Sequence, residues 1–189
     1  MMHAGLCHER GLGVPADDRL AATWYAKAAE AGEPKAMNNL AYLYQHGRGV
    51  TQDHKKAFGW YRTAAKLGNP AAMDNLGFMY QQGLGTKQDY DAALEWYRRA
   101  AEKKHPGAYN NLGFMYQKGL GVKADPRRAL ESYEKAAEWK HPTGTFNLGW
   151  CHEKGIGTPV NVNAARQWYR KALDLGYEGA QKELKRLGG

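Results

Sequence analysis

The sequence predicts an all-α solenoid of helix-turn-helix units, and three observations carry that reading. Glycines recur at a fixed step of 36 residues: Gly11, Gly47, Gly83, Gly119 and Gly155, each followed two residues later by Gly13, Gly49, Gly85, Gly121 and Gly157. Tyr25, Tyr61, Tyr97, Tyr133 and Tyr169 keep the same step, as do Ala28, Ala64, Ala100, Ala136 and Ala172. Trp24, Trp60, Trp96 and Trp168 follow it too, with Ser132 as the one departure. Finally, apolar residues recur at helical spacing, and no segment alternates with the period of a half-buried strand. A unit this short cannot bury its apolar face alone, so it must stack on its neighbours.

Each unit reads as two helices. In residues 71–106, "AAMDNLGFMYQQ" is the first helix, with Asn69 as N-cap and Pro70 at the favoured first position. "GLGTKQ" is the connecting loop, and Gly83 suits a left-handed C-terminal cap. Asp89 then caps the second helix, "YDAALEWYRRAAEK", as Asp17, Asp53, Asp125 and Asn161 do in the other units. "KHP" turns the chain into the next unit.

Helical geometry assigns the faces. Ala72, Met73, Leu76, Gly77, Met79 and Tyr80 share one face of the first helix. Tyr90, Ala93, Leu94, Tyr97, Ala100 and Ala101 share one face of the second. Gly77 has counterparts at Gly5, Ala41, Gly113 and Gly149, and such small residues let paired helices approach closely. The expected organisation is a single solenoid domain over 1–189, with repeats 1–34, 35–70, 71–106, 107–142 and 143–178 and a C-terminal capping helix at 179–189. In that last helix Ala180, Leu184 and Leu187 face the final repeat, while Gln181, Lys182, Lys185 and Arg186 face water.

The frame Leu-Gly-x-x-Tyr, Gly-x-Gly loop, Asp cap and Trp-Tyr-x-x-Ala-Ala resembles the Sel1-like repeat, a relative of the tetratricopeptide repeat, along the whole chain. The resemblance implies a right-handed α/α superhelix whose inner wall is lined by the first helices. It also implies a scaffold or adaptor role, as in bacterial signalling and host interaction, fungal cell-wall regulation and membrane-protein quality control.

The face of each first helix turned away from its partner helix lines that groove. On the representative unit it comprises Ala71, Asp74, Asn75, Phe78, Gln81 and Gln82. Two ladders run along it: Asn39, Asn75, Asn111 and Asn147, then Tyr42, Phe78, Phe114 and Trp150, with Leu6 in the first unit. An Asn amide both donates and accepts, which matches the backbone of an extended peptide. In tetratricopeptide proteins an Asn at this helix position contacts bound peptide, so the resemblance carries that role to these four. The same Asn side chains would equally serve to bond across to the adjacent repeat, and the aromatics to wedge between neighbouring first helices. Gln45, Gln81, Gln117 and Glu153 edge the groove, beside His46, Gln82, Lys118 and Lys154. The edge grows more basic toward the C-terminal half, which suits a protein or peptide partner with acidic residues there.

"GLCHERGLG" at Gly5–Gly13 and "GWCHEKGIG" at Gly149–Gly157 place Cys, His and Glu side by side twice. The frame sets Cys7 and Cys151 at packing positions, His8 and His152 where other units carry Tyr44, Tyr80 and Tyr116, and Glu9 and Glu153 where they carry Gln. The two cysteines stand four repeats apart. At about 8–10 Å between packed helices, that far exceeds the roughly 7 Å reach of a disulfide. Neither HExxH nor a CxxC zinc pattern occurs, and the Gly-x-Gly loops lack the strand and lysine of a phosphate loop. His105 and His141 read as turn residues. The expectation is a non-enzymatic binding module without cofactor or metal.

Composition agrees with a folded, water-exposed chain: 43% hydrophobic and 24% charged over 189 residues. No apolar run of about 18 residues exists, so no membrane insertion is expected. The N-terminus lacks the charged and apolar regions of a secretory signal, and no paired-cysteine staple is present, which together favour a cytoplasmic setting. The net charge of +8 is spread along the chain with acidic residues near each basic pair, so nucleic acid is a weaker reading than protein. A structural spacer or oligomerisation module is the alternative function, and the oligomeric state is open.

Overall fold

The computed structural model describes residues 1–188 and is all-helical, with no strand among the described residues. Helices alternate as first and second members of five pairs: α1 (Met2–Arg10) with α2 (Asp18–Glu30), α3 (Pro34–His46) with α4 (His54–Lys66), α5 (Pro70–Gln82) with α6 (Tyr90–Glu102), α7 (Pro106–Lys118) with α8 (Pro126–Glu138), and α9 (Pro142–Lys154) with α10 (Val162–Asp174). α11 (Gly179–Arg186) follows the last pair. The chain forms two compact units, Met1–Trp96 and Tyr97–Gly189, and their boundary falls inside α6.

Local rules start and stop each helix. Pro34, Pro70, Pro106 and Pro142 occupy the first turn of α3, α5, α7 and α9, where the missing N–H costs nothing. The same helices end on Gly47, Gly83, Gly119 and Gly155 in the left-handed region, with φ of 67–71°. Asp17, Asp53, Asp89, Asp125 and Asn161 accept backbone N–H groups at the start of the second helices. The backbone N–H of each also donates to a carbonyl near the end of the first helix, on His8, Tyr44, Tyr80, Tyr116 and His152, at 2.8–2.9 Å. One residue thus closes the loop from both sides.

The second glycine of each loop has a different task. At Gly49 a Cβ would lie 2.2 Å from the Asp18 carbonyl, at Gly85 2.2 Å from that of His54, and at Gly157 2.3 Å from that of Pro126. These loops rest on the opening turn of the preceding second helix, backbone against backbone. No side chain fits there, and the positive φ independently favours glycine. The turn between repeats also passes through the left-handed region, at Gly32, Gly68 and Gly176, but Lys104 and Lys140 hold the same place at φ of 59° and 55°.

The core runs along the seam of each pair. Tyr25, Tyr61, Tyr97, Tyr133 and Tyr169 are fully buried, and alanines of the second helices and Leu40, Leu76, Leu112 and Leu148 of the first are buried too. Gly113 lies so close to Tyr133 that a Cβ would come within 2.6 Å of the ring, and Gly5 stands in the same relation to Tyr25. α11 buries Ala180 and Leu184 against Ala165, Tyr169 and Ala172, with Leu187 packed beside them. Arg186 is exposed as expected and also makes ion pairs. Its guanidinium turns back to Glu153 at 2.6 Å and to Glu183 at 2.7 Å, because Glu153 is a buried carboxylate that needs a cation.

Gly157→Ala should therefore destabilise the protein by about 2–4 kcal/mol, combining left-handed strain with a backbone clash. Lys140→Gly should stabilise it by about 0.5–1 kcal/mol through relief of the same strain. Urea unfolding of the two variants checks both signs; equal midpoints would refute the account of these turns.

Candidate functional site

In each compact unit a strip of interest lies on the first helices. Asn, an aromatic three residues later and a polar or basic residue four residues beyond that share one face at helical spacing. Asn39 and Tyr42 come from α3, Asn75, Phe78 and Gln81 from α5, Asn111, Phe114, Gln117 and Lys118 from α7, and Asn147, Trp150 and Lys154 from α9. The four asparagines are half-buried. Asn75 Nδ2 donates to Asn38 Oδ1 at 3.0 Å, and Asn147 Nδ2 donates to Asn110 Oδ1 at 2.8 Å. Neighbouring first helices in each unit are thus tied by side-chain amides, and one N–H of Asn75 and of Asn147 is committed to stacking.

The aromatics divide. Tyr42, Phe78 and Phe114 keep 40%, 39% and 38% of their surface exposed. Trp150 is half-buried and packs, with Phe146, on the cluster around Tyr169. Tyr42 is set by its surroundings: the His46 ring lies 4.3 Å away and the Arg48 guanidinium 5.9 Å. Arg48 itself is held by two bonds to Asp18, at 2.7 and 3.0 Å, and by Glu9 at 3.5 Å.

The groove-edge glutamines turn out to serve the core as well. Tyr61 donates its hydroxyl to Gln45 Oε1 at 2.9 Å, and Tyr133 donates to Gln117 Oε1 at 2.8 Å. Tyr25 and Tyr169 donate to the glutamates at the same frame position, Glu9 at 2.6 Å and Glu153 at 2.9 Å. Sequence reasoning missed this pairing, although its signal was present: a buried phenol needs an acceptor, and Gln or Glu recurs 16 residues before all five of the tyrosines. Glu153 also binds Lys154 at 2.5 Å, so that lysine is ion-paired, while Lys118 stays exposed.

The Cys-His-Glu triplets take packing roles. Cys151 is fully buried, and burial pushes its thiol up to about 12, so it stays protonated and non-nucleophilic. Cys7 is half-buried, and both cysteines are free thiols. Burial holds His105 and His141 below the ordinary imidazole range, with His141 adding to the effect on His105. The neutral His141 ring accepts the Gly144 N–H at 3.1 Å and so caps α9. Among the described residues no three His, Cys, Asp or Glu side chains cluster in a way that could hold a metal ion. No helix there is long and apolar enough to cross a membrane.

Comparison with known proteins follows the repeat frame. The Sel1 repeat model matches residues 1–33, 34–69, 70–105, 106–138 and 142–177. A Sel1 repeat protein from Oxalobacter formigenes is 37% identical with a TM-score of 0.89, covering 97% of this chain and 73% of that one. A protective antigen present in uropathogenic Escherichia coli strains, displaying an SLR fold, is 35% identical with a TM-score of 0.81. The match covers 95% of this chain but spans only 38% of the antigen's length. The Helicobacter pylori cysteine-rich protein B is 27% identical with a TM-score of 0.56, over 70% of this chain and 96% of that one. Among curated proteins, none matches the sequence significantly.

Burial works to raise the Glu153 pKa, but hydrogen bonds from Lys154, Tyr169 and Arg186 outweigh it and hold the carboxyl below the ordinary carboxylate range. A lowered folded-state pKa stabilises the protein above the unfolded value of about 4.3. That contribution is lost as pH falls through the folded value. Glu153→Gln should cost about 1–2 kcal/mol at pH 7, and should flatten the loss of stability between pH 5 and 3. Urea midpoints of both proteins across that range test it; parallel curves would count against the sign.

Proposed function

The chain belongs to the Sel1 repeat family, whose members are generally protein-interaction scaffolds, and from that premise we propose that the first helices within each compact unit hold an extended peptide segment with acidic residues. The observation that carries this reading is the exposure of Tyr42, Phe78 and Phe114 on a fold that buries all five seam tyrosines. Rings left at the surface beside a row of amides offer apolar contact and backbone hydrogen bonding together. Asn75 and Asn147 each commit one N–H to the neighbouring helix. The amide oxygen and second N–H of each supply what a peptide backbone reads without regard to its side chains. Lys118 lies one turn beyond Phe114 and is exposed, which favours an acidic residue near that ring. Catalysis plays no part in this reading: the strip holds amides, rings and an ammonium, with no nucleophile and base in contact.

A peptide array probed with the purified protein supplies ligands, and fluorescence anisotropy measures their affinity. Phe114→Ala should weaken binding of acidic hits by roughly fivefold or more, about 1 kcal/mol, and Lys118→Glu should weaken them further. Trp139→Ala, in the turn between repeats, is the control. Affinities that ignore both Phe114→Ala and Lys118→Glu would refute the peptide-binding strip.

A further inference from the structure

The turns that lead into α7 and α9 carry His105 and His141, at the frame position that holds Glu33, Asn69 and Tyr177 elsewhere. His141 is the node of the second of these turns. Its N–H donates to the Ala136 carbonyl at 2.9 Å, and its carbonyl accepts the Thr145 N–H and the Thr145 hydroxyl, each at 2.9 Å. Its ring accepts the Gly144 N–H at Nδ1. Gly144 belongs to the first turn of α9, where N–H groups have no partner within the helix, so the ring supplies what this one needs. The joint is tight: a Cβ on Gly144 would lie 2.4 Å from that of Ala136. α9 thus starts directly on the last turn of α8, and the imidazole fixes the turn between them.

Two properties make this contact sensitive to acid. An imidazole accepts a hydrogen bond only through an unprotonated nitrogen, and in imidazolium both nitrogens donate. A protonated ring would also set a cation at a helix N-terminus, where the partial positive charge of the first turn repels it. Asn69 supplies the comparison: it accepts the Ala72 N–H at 2.9 Å in the corresponding bond, from a side chain that does not titrate. The charged neighbours of His141 do not bond its ring. From the preceding turn, Lys104 lies 5.8 Å from the Trp139 ring, and His105 is close enough to feel the charge of His141. Glu138 and Lys140 flank the turn along the chain, and Lys171 and Asp174 of α10 line the same cavity of about 510 Å³ as that pair. The first turns of α7 and α9 carry no charged residue. Among the described residues no carboxylate pairs with His141, and burial holds its ring below the ordinary imidazole range.

We propose that the turn at His141 is an acid-sensitive latch on the joint between α8 and α9: the neutral ring holds the first turn of α9, and protonation releases it. His105, one repeat earlier, is coupled to it, since a proton on either ring disfavours one on the other. Because burial lowers the folded-state value, the contact stabilises the protein fully above the unfolded imidazole value of about 6.5. That contribution is lost as pH falls through the folded value. The latch is separate from the first-helix strip and stands or falls independently of it.

The test uses isotope-labelled full-length protein, with ring nitrogens and backbone amides followed by NMR from pH 7.5 to 4.5. At pH 7.5 the His141 Nδ1 should show the shift of an unprotonated acceptor. Exchange protection of the Gly144 amide, corrected for the intrinsic rate, should fall roughly tenfold or more over the range, while that of Ala72 under Asn69 stays within about twofold. His141→Asn should keep Gly144 protected at both ends and should raise the midpoint at which His105 titrates. Any of three results overturns the latch: a proton on Nδ1 at pH 7.5, equal Gly144 protection at both ends in the wild type, or protection in His141→Asn that falls in parallel with the wild type. The first two are read on the wild type, so they decide the matter if the variant does not fold. A His105 midpoint that His141→Asn leaves in place overturns the coupling.

Discussion

A phenol buried in an apolar seam imposes two demands at once, and the geometry of this protein depends on meeting both. The ring needs room, which Gly5, Gly113 and Gly149 provide where a Cβ would come within 2.6–2.9 Å of it. The hydroxyl needs an acceptor, which Glu9, Gln45, Gln117 and Glu153 provide. Within the first helix the small residue and the acceptor stand four apart, one turn on the same face. Each tyrosine thus sets both the distance between paired helices and their register. An inserted residue between the two would rotate the acceptor off the seam, which gives a physical reason for a 36-residue frame without insertions.

Much of this was legible in the sequence, because helix ends obey rules that act within a few residues. Pro70 at the first turn, Gly83 at the stop and Asp89 at the next start are readable from their types alone. What stayed hidden acts between elements. Gly157 looked like half of a turn, but its constraint is the Pro126 carbonyl of the preceding repeat. Gln117 looked like a groove edge because a helical wheel gives direction and not depth, so a residue on the border of two faces cannot be assigned from spacing. Arg186 is exposed, as its helix face implies, but its pairing with Glu153 is not readable, since nothing local announces that Glu153 is buried nearby. Residue type alone leaves the Asn positions open between stacking and ligand contact, and the Asn75–Asn38 and Asn147–Asn110 bonds show that stacking uses part of those two amides.

The repeats are most informative where they differ. Positions that serve the seam recur in every repeat, whereas the exposed positions of the first helices differ, with Tyr42 and His46 in one repeat and Phe114 and Lys118 in another. Ser132 is the sharper case. Loss of one indole changes neither the seam nor the caps, and Tyr109, where other repeats carry Met37 and Met73, supplies a ring to Lys135 instead. A solenoid of this kind holds its framework by repetition and gains distinct surfaces through single departures from it.

The contact made by Gly49, Gly85 and Gly157 has an evolutionary consequence. It joins one repeat to the preceding one through main-chain atoms, so its fit depends on backbone path and hardly at all on which side chains the preceding helix carries. Copies of a unit can therefore be duplicated in frame, deleted or exchanged with the joint intact, provided the glycine is copied too. The array behaves as a set of interchangeable cassettes, and its length and surface can diverge by recombination faster than any compact domain of the same size could tolerate.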